Sequence, residues 1–171
     1  MGAQLSAMWV DNGLMALLDV HRLVAARRRP LVGRWCHRLL KWTAGIEIPD
    51  AVEIGTDLRI RHDGFGLVVH PRTRIGDRVV LFQGVTIGRS DVWVPQSESP
   101  FLGIDIGDDV WICSGAKVIG GAGRLTVGRG TIIGANAVLL QSTGDWEIWA
   151  GAPARLVGKR DPDDELPGVQ P

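Results

Sequence analysis

The chain has 171 residues, enough for one well-cored domain with a small appendage, and Lys plus Arg balance Asp plus Glu at 19 each. A net charge of zero gives no reason to expect nucleic acid or an anionic membrane as a partner. Cys36 and Cys113 lie far apart without metal-ligand or disulfide spacing, no apolar run suffices for a membrane span, and the first residues lack a signal-peptide layout, so a cytoplasmic location is expected.

From Gly13 to Arg29 the apolar residues Leu14, Leu17, Leu18, Leu23 and Val24 recur at mostly helical spacing, with Asp11 or Asn12 as a cap. Arg27-Arg28-Arg29 would close the last turn, where cations suit the helix dipole. Pro30 then ends this helix and opens a second. The second helix runs to about Trp42, and Leu31, Trp35, Leu39 and Trp42 form a stripe that reads as a docking face against the next domain. Gly45 stops it.

After Gly45 the period changes. Ile48, Ile54 and Ile60 stand six apart, as do Val69, Ile75, Leu81 and Ile87, then Ile106, Ile112 and Val118, then Val127, Ile133 and Leu139. A small residue commonly follows (Gly55, Gly76, Gly88, Gly107, Gly128, Gly134), and a second modest apolar or small residue comes four positions on (Val52, Val79, Val85, Val110, Ala116, Ala137). An ordinary strand alternates by two and then turns; a sustained step of six implies very short strands coiled into a solenoid with three sixes per triangular rung. The expected division is a helical segment over 1–45, a solenoid over 46–158 and a charged, proline-rich tail over 159–171. The repeat breaks between Ile60 and Val69 at His62-Asp63-Gly64-Phe65-Gly66, across Arg89 to Phe101, and at Gly120 to Arg124. Such breaks are expected to loop outward.

These residues carry a resemblance. Gly45-Ile46-Glu47-Ile48-Pro49, then His62 ahead of Gly66-Leu67-Val68-Val69, then Gln83-Gly84-Val85-Thr86-Ile87-Gly88 and the closing Ala150-Gly151-Ala152-Pro153-Ala154-Arg155-Leu156-Val157-Gly158 are similar to the hexapeptide-repeat acyltransferase superfamily. More narrowly, they resemble serine O-acetyltransferase and its sugar- and capsule-modifying relatives. The resemblance implies a mainly β fold, a left-handed parallel β-helix with a short N-terminal two-helix appendage. It also implies an acetyl-CoA-dependent O-acetyltransferase acting on a small-molecule or saccharide acceptor, without a metal, as a homotrimer. The family's histidine-bearing loop after the glutamine strand is replaced here by Arg89 to Phe101, which contains no histidine, so serine and a sugar unit both remain open as acceptors.

Acyl transfer to a hydroxyl needs a base, and histidine titrates nearest neutrality. His21 and His37 fall within helical patterns, and His70 sits beside a corner where a structural hydrogen bond is expected. His62 alone occupies a break beside flexible glycines, so it is the expected base. Glu47 stands where the family places the acidic partner, with Asp63 as a local rival. For acetyl-CoA, the small corners Ser114-Gly115-Ala116 and Gly134-Ala135-Asn136 would let a pantetheine arm run against the backbone, and Arg155 and Lys159 would meet the phosphates. Cys113 occupies a packing slot, so direct transfer is expected rather than an acetyl-cysteine route. The competing readings are a catalytically silent scaffold acting by assembly and, ranked lower, a zinc-binding β-helix of the carbonic-anhydrase kind.

Overall fold

The computed structural model describes residues 33–162; the first predicted helix and the end of the tail lie outside them. The second predicted helix is α1 (Gly33–Ala44). Gly45 stops it in a left-handed conformation, φ +64, with its N–H donating to Lys41 O at 3.2 Å. The apolar stripe behaves differently from expectation. Trp42 is 93% exposed and Leu39 37%, and the side chains of Leu31 and Trp35 lie outside the described residues. Contact with the rest of the fold is made at the helix end, where Ala44 is buried and its carbonyl accepts from Gly66 N–H at 2.8 Å.

The step of six builds a three-faced prism. The first face holds β1 (Glu53–Ile54), β4 (Thr73–Ile75), β7 (Phe101–Ile106) and β10 (Gly123–Val127). On the second lie β2 (Arg59–Ile60), β5 (Val80–Leu81), β8 (Trp111–Ile112), β11 (Ile132–Ile133) and β13 (Glu147–Ala150). The third consists of β3 (Val68–Val69), β6 (Thr86–Arg89), β9 (Lys117–Gly120) and β12 (Val138–Leu139). Neighbouring strands are parallel, and the register explains the period: Ile54 pairs with Ile75, Ile75 with Ile106, and Ile106 with Val127. In the same way Ile60, Leu81, Ile112, Ile133 and Trp149 stack on the second face, and Val69, Ile87, Val118 and Leu139 on the third. All of these are buried except Ile54, which is partly so. Each fully buried aliphatic stabilises the fold by about 1.5–3 kcal/mol relative to exposure, so one column per face holds the coil together.

Two of the three breaks do more than loop outward. Phe101 to Ile106 pairs in parallel with Gly123 to Val127, so the surplus residues of consecutive rungs lengthen the first face together. Phe101, Ile104 and Leu125 are thereby buried. An apolar insertion in one rung is matched by an apolar insertion in the next, and pairing them removes both from water. The outward loop is consequently residues 90–100, and Phe101 belongs to the core.

At the far end the chain turns back through Gly151 to Ala154, and β14 (Arg155–Lys159) pairs antiparallel with β13. Arg160 comes next, with its N–H on Trp146 O at 2.8 Å and its guanidinium 5.0 Å over the Trp146 ring. Lys159 and Arg160 are therefore tied to the prism rather than opening a tail. The reversed strand covers an edge that the last rung would otherwise leave open.

Candidate active site

At the corner between the second and third faces the backbone repeats one conformation: Gly66, Gly84 and Gly115 each have φ +70, and Asn136 continues the column with φ +55. Glycine adopts this region without the cost a Cβ imposes. The corners are tied rung to rung, Gly84 N–H donating to Phe65 O at 2.7 Å, Gly115 N–H to Gln83 O at 2.9 Å and Asn136 N–H to Ser114 O at 2.9 Å. A Cβ on Gly66 would lie 3.8 Å from Gly84 Cα and one on Gly84 3.5 Å from Gly115 Cα, so these corners stack backbone on backbone, while the Asn136 side chain sits against Gly115.

His62 interrupts this same corner at its first rung. It begins a one-turn 3-10 segment (His62–Gly64) in which His62 and Asp63 both have positive φ, +52 and +54. Two consecutive non-glycine residues in that region store strain, which proteins retain where neighbouring structure and function require it. The loop is pinned by Arg61 N–H on Leu81 O at 2.8 Å and Leu67 N–H on Gly64 O at 2.9 Å. The His62 side chain is exposed and has no hydrogen-bond partner among the described residues; its ring faces Phe82 at 5.9 Å, and Phe82 in turn faces Trp111 at 6.0 Å.

Glu47 enters the first rung through its bridge to Val68, whose strand leaves the His62 loop. Its carboxylate, however, accepts from Lys41 Nζ at 2.9 Å. Neither Glu47 nor Asp63 hydrogen-bonds the imidazole among the described residues. The Lys41–Glu47 pair is 57% and 41% exposed, and ion pairs of that kind contribute about 0–1 kcal/mol, so little holds Glu47 in this orientation.

The small corners sort into two kinds. Gly115 and Gly134 are half-buried and Ala135 is exposed, with an N–H that has no partner among the described residues. Ala116 is fully buried, its N–H donating to Cys113 O and its carbonyl accepting from Thr86 N–H, so its methyl belongs to the core. Arg155 and Lys159 open and close β14, both exposed, opposite Ala150 and Glu147 of the adjoining strand. Cys113 is half-buried, and desolvation pushes its thiol up from the ordinary value.

Sequence reasoning gave no chemical role to Gln83 and Lys117, and gave Ser114 one only as a small corner residue; all three share the corner with His62. Ser114 Oγ donates to Gln83 Oε1 at 3.1 Å, and Lys117 Nζ donates to Gly84 O at 2.6 Å. The signal was present in the period, since Gln83 and Ser114 each immediately precede a corner glycine. His70 lies at the opposite end of its strand, its Nδ1 accepting from Arg72 N–H at 3.1 Å and its ring edge-on to Phe101 at 4.9 Å. Burial and then the Arg89 and Arg72 charges hold its pKa below the ordinary value of 6.5. Among the described residues no group of three His, Cys, Asp or Glu side chains is placed to hold a metal ion, and no helix is long and apolar enough to cross a membrane.

The prism with short parallel strands, aliphatic columns and glycine corners is the fold of the hexapeptide-repeat proteins. Within that class, comparison with known proteins identifies the chain as resembling serine O-acetyltransferase. It is 35% identical over 131 residues to a serine acetyltransferase of Staphylococcus xylosus, covering 77% of this chain and 56% of that protein. A serine acetyltransferase of Staphylococcus epidermidis is 34% identical over 155 residues, covering 91% of this chain and 65% of its own length. The crystal structure of serine acetyltransferase in complex with coenzyme A from Brucella abortus strain S19 superposes with a TM-score of 0.67 at 26% identity, over 85% of this chain and 56% of that one. The chain thus spans between about half and two thirds of these relatives. No family model matches.

Proposed function

We propose that the protein is an acetyl-CoA-dependent O-acetyltransferase in which His62 is the general base. The observation that carries this reading is the placement of His62: it occupies a strained interruption of the corner whose succeeding rungs are Gly84, Gly115 and Asn136. His62 takes the proton of the acceptor hydroxyl as the oxygen attacks the thioester carbonyl. The tetrahedral intermediate collapses with cleavage of the C–S bond, and the CoA sulfur leaves with that proton. Glu47 swings from Lys41 to the imidazole when substrate fills the corner, fixing its tautomer and stabilising the imidazolium. The pantetheine arm lies along Gly115 and Ala135, and the phosphates meet Arg155 and Lys159.

Serine is the acceptor named by the relatives, and a saccharide hydroxyl is the alternative. The loop over 90–100 favours keeping both: it exposes Val92 and Trp93, and Asp91 braces it by accepting from Ser99 Oγ at 2.6 Å and pairing with Arg89 at 3.3 Å. An exposed indole on a braced loop is a stacking surface for a sugar ring as readily as a cover for a small acceptor.

A homotrimer fits the outer surface of the second face, where the register aligns the half-buried Trp111, Ile132 and Ile148, in contrast to the ion-paired first face with Glu53–Arg74 and Asp105–Arg124. Light scattering that returns a monomer would remove the trimer. The enzymatic reading is tested by the melting temperature with and without CoA, and by CoA release from acetyl-CoA across serine, sugar and polysaccharide acceptors. No thermal shift and no acceptor-dependent release would leave the silent scaffold as the better account.

A further inference from the structure

We infer that Lys117, with Gln83 beside it, receives the negative charge that develops on the thioester oxygen. This deepens the acetyl-transfer reading and rests on it. Along the third face Val68 pairs with Thr86 and Thr86 with Lys117, so Lys117 starts two rungs past the strand that leaves the His62 loop. Its side chain then reaches back one rung, and Nζ donates to Gly84 O at 2.6 Å. The ammonium therefore stands at the level of Gly84, one rung of about 4.8 Å from Gly66 and on the His62 corner.

The Lys117 side chain belongs to a half-buried residue, yet no carboxylate among the described residues pairs with it. A partly desolvated cation without a counter-ion invites an anion, and an ammonium carries three donors, of which Gly84 O takes one. Gln83 supplies a second group at the same level. Ser114 Oγ occupies its Oε1 at 3.1 Å, leaving the amide NH2 without a partner among the described residues. Two held donors beside a base, on the side from which the thioester arrives, suit the oxyanion of an acyl-transfer intermediate. The proton that moves is the acceptor's, passing through His62 to the departing sulfur.

The test uses the full chain and two ligands, CoA and carboxymethyl-CoA, whose carboxylate puts anionic oxygens at the reacting end of the ligand, one bond further from sulfur than the acyl oxygen. Calorimetry is expected to show that the wild type binds carboxymethyl-CoA more tightly than CoA. Lys117→Met should erase that preference by about ten- to hundredfold with CoA affinity kept, since hydrogen bonds to charged groups are of that size. Lys117→Arg should retain most of it, and Gln83→Ala should lose a smaller part. A lysine that merely braces the Gly84 carbonyl would instead lower the melting temperature and weaken both ligands alike, which overturns the inference. So does an unchanged preference in Lys117→Met while CoA still binds, and that outcome leaves the acetyl-transfer reading standing. If the wild type binds neither ligand, the acetyl-transfer reading itself fails and takes this assignment with it.

Discussion

Where the first face turns into the second, Arg78, Asp109, Gly130 and Trp146 succeed one another up the prism with φ of +56, +58, +65 and +60; where the second turns into the third, Gly66, Gly84, Gly115 and Asn136 do so with +70, +70, +70 and +55. The backbones are alike and the side chains are not. At the first corner Asp77 Oδ1 accepts from Thr56 N–H at 2.6 Å, Asp108 Oδ1 from Asp77 N–H at 2.9 Å and Asp145 Oδ1 from Arg129 N–H at 2.8 Å, while Arg78 grips Asp109 with two bonds of 2.7 and 2.8 Å. Its polar groups largely satisfy one another. The second corner has glycine where the first has charge, a histidine loop at its start, and donors at Gln83 and Lys117 that its own rungs leave partly unused. One repeat can thus be closed at one edge and open to a ligand at another without altering its fold.

The largest effect that would break this contrast is chemical. His62→Ala should lower acetyl transfer by about a hundred- to ten-thousandfold, the range for a positioned general base, with the melting temperature kept because the side chain is exposed. Glu47→Gln should cost less, since the base remains. Acetyl transfer and thermal melting of both variants decide it, and full turnover in His62→Ala would sink the assignment.

Next comes a substitution that fills the open corner. Asparagine tolerates the left-handed region and already occupies it at Asn136, so Gly84→Asn should fold. Its side chain would stand in the cofactor path, and the stabilisation by CoA, about 2.7 kcal/mol at a hundredfold excess over Kd, should largely vanish from the thermal shift. An undiminished shift would show that the ligand runs elsewhere.

At the closed corner the opposite is expected. A Cβ on Gly76 would lie 2.8 Å from the Gly107 carbonyl carbon, and backbone has little room to move away. Gly76→Val should therefore destabilise the fold by about 1–3 kcal/mol, read from the denaturant midpoint, while the fraction that folds binds CoA normally.

The smallest effect is on acid stability. The hydrogen bonds from Arg78, reinforced by its charge, hold the Asp109 carboxyl below the ordinary 3.8. A carboxyl depressed in the folded state contributes stability above its unfolded pKa and loses it as pH falls through the folded one. Melting measured below pH 3.8 should show a flatter acid limb for Asp109→Asn than for the wild type, with the two differing most above that range. Both partners are partly exposed, so solvent screening keeps the difference small.

Much of this was legible in the residues. A step of six with aliphatics in phase has one economical geometry, and the register of Ile54, Ile75, Ile106 and Val127 results from it, as does the exceptional position of His62. The linear pattern determined periodicity, because each rung repeats the same local steric problem and solves it with the same residue types. Tertiary structure decided the contacts that cross rungs. The pairing of Phe101 to Ile106 with Gly123 to Val127 turned two apparent loops into an enlarged sheet, since two apolar surpluses gain by burying each other and neither reveals that alone. Glu47 turned to Lys41, Ala116 was drawn into the core, Trp42 was left in water, and Lys117 reached back to Gly84. Those outcomes depend on the reach of individual side chains over distances that a sequence does not contain.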